Sequence, residues 1–159
     1  NLGVQTNNMN SNISNQIIQE AINLSKVTAN FFEIKGPGTG DKATNYYIKK
    51  LRESLQETFH HDYSEFKLKS SGFCFDYYIP NESTVIEIAF GLRNPTSEFE
   101  RDILKVILGK NEGLNITSLI FISKPGAKKR LSQPSSKSII NWLRNEYQIN
   151  TLIIELQPE

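Results

Sequence analysis

Phe73 to Phe90, FCFDYYIPNESTVIEIAF, constrains the fold more than any other stretch. Two runs of β-branched and aromatic residues flank a polar break at Pro80, Asn81, Glu82 and Ser83. That pattern predicts a strand, a tight turn and a second strand. Side chains alternate faces along a strand. Cys74, Asp76 and Tyr78 therefore share one face, and Val85, Glu87 and Ala89 share one face of the partner. A turn centred on Asn81 and Glu82 puts Asp76 directly across from Glu87, with Cβ atoms roughly 4.5–5.5 Å apart. Two carboxylates so placed repel unless a positive charge joins them. Mg²⁺ takes oxygen ligands and commonly uses one or two carboxylates plus water. A strand carboxylate can simply face solvent. These two are set among Phe75, Tyr77, Ile86 and Ile88, and a polar break in a buried run marks a candidate site.

The 159 residues suffice for one domain with its own core. No apolar run approaches the roughly 20 residues of a membrane-spanning helix. The single Cys74 cannot form an internal disulfide, and no signal peptide is visible, so a cytoplasmic protein is expected. One Cys with the adjacent His60 and His61 does not supply a Cys/His zinc site. The net charge of +1 says nothing about nucleic acid, so only a local concentration of Lys and Arg could.

In chain order, residues 1–12 are Asn-rich and read as a loose tail, with a single domain over 13–159. A helix follows with Ile13, Ile17, Ala21 and Leu24 inward and Ser11 or Ser14 as its cap; Glu20 reads as a solvated carboxylate. GPGTG at 36–40 is a loop without P-loop spacing. Asp41 is expected to cap a second helix to about Phe59, with Ile48, Leu51, Leu55 and Phe59 buried. Phe66 to Lys69 is a short edge strand. Beyond the hairpin, Ser97 and Glu100 form a capping box, Phe99, Ile103, Val106 and Ile107 an apolar face, and Gly109 a stop. Asn115 to Ser123 and Thr151 to Leu156 read as strands, with a helix over 135–147 between them. The expected fold is α/β, a mixed sheet with helices on both faces.

That element order, with an acid on one strand and Glu-x-Lys-like spacing on the next, resembles the PD-(D/E)XK nuclease superfamily. The matching residues are Asp76, Glu87, Ile88 and Ala89. GTGDKATNYYIKKL ahead of the hairpin, and LIFIS followed by a Lys-containing loop and a helix, resemble the BglII and BstYI group of restriction endonucleases. The resemblance implies a restriction-endonuclease-like α/β/α fold and a Mg²⁺ ion, replaceable by Mn²⁺, held by Asp76, Glu87 and the carbonyl of Ile88. It also implies a supporting role for Asn45. Ala89 stands where the motif carries Lys or, in the nearest group, Gln, and an alanine cannot orient a water. Lys105, Glu98 and Glu100 lie on the following helix, where some members carry a displaced motif residue. Asp102 and Lys105, three apart, read more simply as a pair on a solvated face.

The stretch Lys124 to Ser138 carries Lys124, Lys128, Lys129, Arg130 and Lys137, with Gln133, Ser135 and Ser136 between. Lys and Arg suit phosphates, and Arg, Gln and Ser can read base edges. An irregular basic loop that orders on duplex DNA is expected, against the plainer reading of a charged solvated loop. Two function classes follow: a Mg²⁺-dependent DNA endonuclease of restriction type, acting as a homodimer on a palindrome, and a catalytically inactive DNA-binding domain that keeps the nuclease fold, for which Ala89 speaks. A third is an α/β protein unrelated to DNA.

Overall fold

The computed structural model describes residues 12–33, 42–93 and 97–158. Its elements are α1 (Ile13–Val27), α2 (Lys42–Phe59), β1 (Ser64–Lys67), β2 (Cys74–Ile79), β3 (Thr84–Ile88), α3 (Glu98–Asn111), β4 (Ser118–Ser123), α4 (Ala127–Leu131), α5 (Pro134–Tyr147) and β5 (Asn150–Glu155). The strands form one mixed sheet in the order β1-β2-β3-β4-β5. The first three run antiparallel, while β3, β4 and β5 are parallel. Among the described residues no helix is long and apolar enough to cross a membrane.

The hairpin has the expected register. Tyr77 pairs with Ile86, Tyr78 with Val85 and Ile79 with Thr84. The turn is a 3-10 turn over Pro80–Glu82, closed by Ser83 in the left-handed region at φ 50°. Glu82 also anchors the first helix. Its carboxylate accepts from the amides of Ile13 and Ser14 at 2.8 and 3.0 Å, where the positive end of a helix favours an anion. The cap of α1 itself is Asn12, whose side chain accepts from the Asn15 amide, rather than either serine.

Strand alternation then divides the core in two. All five residues of β3 are buried, as a central strand requires. Val85 and Ala89 pack with Leu119, Phe121 and the α3 residues Phe99, Ile103 and Val106 on one face. Ile86, Ile88, Ile120 and Ile122 pack with Ile17 and Ala21 of α1 and Tyr47, Leu51 and Leu55 of α2 on the other. Helices therefore cover both faces, as the order of elements implied. Glu87 lies in phase with Val85 and Ala89, on the face that α3 covers.

Several local expectations change. Ser97 makes no side-chain cap bond, so the capping box is not formed. Glu20 is half-buried and accepts from the Ser54 hydroxyl at 2.9 Å. The basic stretch is not irregular: it contains α4 and the first turn of α5. Residues 36–41, with the glycine loop and Asp41, lie outside the described residues. Gly109 does not stop α3; it lies inside the helix, and Gly113 at φ 97° ends the turn beyond it. Gly109 serves close packing instead. A Cβ there would meet Phe75 Cζ at 2.9 Å and Ile116 Cδ1 at 3.0 Å.

Gly109→Ala balances a helix-propensity gain of about 1 kcal/mol against an overpacking cost of about 1–3 kcal/mol. Phe75 is fully buried and its ring is stiff, so the cost is expected to win and chemical denaturation should show a loss of about 1 kcal/mol. A gain in stability would mean that the Phe75 ring gives way freely.

Candidate metal and charge site

The backbone pairing of β2 with β3 extends no further than Tyr77 and Ile86, and side chains continue it. The Asp76 amide donates to Glu87 Oε2 at 3.4 Å, and the Ile88 amide donates to Asp76 Oδ2 at 2.7 Å. Each acid thus reaches the other strand's backbone. Asp76 and Glu87 lie together, as the hairpin register required.

The Ile88 peptide faces the same gap. The Ala89 amide donates across to Ile122 on β4 at 2.8 Å. One residue earlier the groups turn the other way, so the Ile88 amide and carbonyl both point toward β2. Two carboxylates and a carbonyl are hard oxygen donors of the kind Mg²⁺ takes, with water completing its shell. Among the described residues no group of three or more His, Cys, Asp or Glu is spaced to hold a metal ion. The groups in this gap that could hold a cation are Asp76, Glu87 and the Ile88 carbonyl.

A positive charge already sits beside this pair. Lys105 Nζ lies 2.8 Å from Glu87 Oε1 and 3.1 Å from Asp102 Oδ1. The Asp102–Lys105 pair exists as the spacing suggested, but not on a solvated face. Asp102 is 4% exposed and Lys105 8%. Charge alone does not place either residue at the surface. Asp102 is in fact in phase with Phe99, Val106 and Gly109 along α3, a signal that could have put it inward.

Burial pushes the Glu87 carboxyl well above its ordinary value, Asp76 and Asp102 push it further, and Lys105 opposes them. Burial pulls Lys105 down, but Glu87 and Asp102 outweigh it and raise the ammonium above its usual value. Glu98, one turn before Asp102, is raised to about 7, first by burial and then by the charges of Asp102 and Asp76. Asp76, Glu87, Glu98 and Asp102 thus lie near enough to feel one another's charge, and one buried ammonium pairs with two of them, Glu87 and Asp102. The surplus negative charge can be relieved by proton uptake or by a cation.

Other expected site residues lie elsewhere. Asn45 is exposed on α2, which packs on the opposite sheet face, so it does not join the carboxylates. Lys124 does not face outward. It is 3% exposed, donates to the Phe31 carbonyl at 2.9 Å, and lies over the rings of Phe31 and Phe90. Ser136 is buried as well. Arg130 is half-buried and donates to the Leu92 carbonyl at 2.9 Å, fastening α4 to the segment after β3. Lys128, Lys129, Gln133, Ser135 and Lys137 are exposed. They lie beyond the C-terminal end of β4, which runs parallel to β3 with Ile122 opposite Ile88. They therefore follow the same end of the sheet, the C-terminal end of β3, as the one near which Asp76 and Glu87 meet. Comparison with protein-family models, curated proteins and solved structures returns no match.

The raised Glu98 carboxyl yields a signed pH dependence. The folded chain keeps a proton that the unfolded chain releases near 4.5, so this group's contribution is lost as pH rises from 4.5 through about 7. Glu98→Gln should raise the melting temperature at about pH 8, by a few degrees, and leave it nearly unchanged at about pH 4.5. An equal shift at both values would separate Glu98 from this charge surplus.

Proposed function

We propose that this chain is a Mg²⁺-dependent DNA endonuclease of restriction type, with the layout of the PD-(D/E)XK superfamily, that hydrolyses phosphodiester bonds at a specific duplex site. The observation that carries the reading is the meeting of Asp76, Glu87 and the Ile88 peptide where the β2–β3 ladder ends, with the Lys105 ammonium 2.8 Å from Glu87. Asp76, Glu87 and the Ile88 carbonyl hold the cation. When bound, a divalent ion there supplies a lowered pKa for an attacking water and neutralises charge on the phosphate. The protein groups do the remaining tasks. Lys105 takes the part that Ala89 cannot, a buried positive charge beside the acid pair. The ammonium orients the attacking water by hydrogen bonding and offsets negative charge that develops on the phosphate.

The exposed cations Lys128, Lys129 and Lys137 suit phosphate contact, and Gln133 and Ser135 suit base edges. A homodimer follows from the reading rather than from any contact, since cutting both strands of a palindrome calls for two sites about a two-fold axis. The second reading is a DNA-binding domain that keeps this fold without cleavage. Its specific support is Ala89, fully buried within the apolar cluster beneath α3.

Plasmid DNA incubated with the protein and Mg²⁺ or Mn²⁺ separates the two. Cleavage is expected, and Asp76→Ala, Glu87→Ala and Lys105→Ala should each reduce it by at least about 100-fold. Retained, metal-independent DNA binding without cleavage in the unaltered protein favours the second reading. Changing Lys128 and Lys129 together to Ala should weaken duplex binding and lower the slope of log affinity against log salt by up to about 2. An unchanged slope would remove α4 from the interface.

A further inference from the structure

We propose that Asp102 is a positioning residue that divides the Lys105 ammonium with Glu87 and thereby sets how tightly the Asp76–Glu87 pair takes a divalent cation. The inference rests on the reading of that pair as cation ligands. Lys105 Nζ is within 3.1 Å of both acids, and 2.8 Å from the Glu87 oxygen Oε1. A divalent cation held by that carboxylate would compete with the ammonium for its negative charge. Glu87 would therefore have to loosen its contact with Lys105 to serve as a cation ligand.

Asp102 makes that exchange feasible. It sits one turn before Lys105 on the same buried face of α3 and is itself 4% exposed, so it keeps the ammonium paired when Glu87 turns to the cation. Without Asp102, the ammonium has Glu87 as its remaining close acid and competes harder for it. Asp102 acts here through Lys105 and touches neither water nor phosphate. The arrangement also keeps Glu87, a nearly fully buried acid, from standing alone before a cation arrives.

Calorimetric titration with Mn²⁺ tests this on the full chain, with Asp102→Asn, Lys105→Met, the double variant and Asp76→Asn. Circular dichroism and melting curves establish that each variant is folded. Asp102→Asn should weaken Mn²⁺ binding about tenfold and Lys105→Met should strengthen it by a similar factor. In the double variant the Asp102 effect should vanish, leaving affinity within about twofold of Lys105→Met alone. An Asp102 effect of equal size in both backgrounds would make it a plain charge effect and overturn the positioning role. Weaker binding in Lys105→Met would overturn the competition. If Lys105→Met does not fold, Lys105→Gln replaces it in both places with the same expectations. Unchanged Mn²⁺ binding in Asp76→Asn, or no binding in the unaltered protein, would instead refute the cation reading, and this inference with it.

Discussion

The structure depends on how a carboxylate is kept inside it. Glu87 is buried near the C-terminal end of the most buried strand, where an isolated ionised acid would be far too costly. Its compensation is a lysine from α3, itself also paired with Asp102 on that helix, and an amide of β2. Removing one partner of such a buried pair typically costs about 3–5 kcal/mol, because the other charge is stranded. Replacing the whole set with apolar residues would commonly cost little or even stabilise the chain. Fold stability alone therefore gives no reason for this arrangement, whereas chemistry at that end of the sheet would.

The sheet explains why the charges meet there. A meander of three antiparallel strands leads into two parallel crossovers, which leaves β3 between an antiparallel and a parallel neighbour. On its β4 side the backbone pairing runs through Ile88 and on to the Ala89 amide. On its β2 side the pairing stops two residues earlier. The gap so created is where Asp76 reaches across. The irregularity extends outward, since Glu65 on β1 has φ 54° in a strand otherwise paired with β2. A regular ladder would have used the Ile88 amide for the backbone and left Asp76 without that partner.

Much of this was legible in the sequence, for identifiable reasons. The hairpin register followed from turn position and side-chain alternation, and the two-sided core followed from element order. What failed were inferences that equated residue type with location. A lysine in a basic run suggests DNA contact for Lys124, but the rings of Phe31 and Phe90 and a carbonyl acceptor make its burial tolerable. For Asp102 and Lys105 the spacing predicts the pair but not its burial, because the Glu87 partner of Lys105 comes from β3, about which spacing along one helix carries no information. Gly109 carries the pattern of a terminator, although a glycine can equally mark a helix pressed against its neighbour.

That glycine has a wider consequence. It stands one turn beyond Lys105 on α3, facing Phe75, while the next residue of β2 is Asp76. The spacing of the helix from the sheet is therefore also the spacing of an amine from an acid. A methyl group at this point would act as a shim, lifting the ammonium off Glu87 without touching either residue. Tolerances in the apolar layer are in this way inherited by the polar one, and the alignment of charges is only as good as the fit of a hydrocarbon contact.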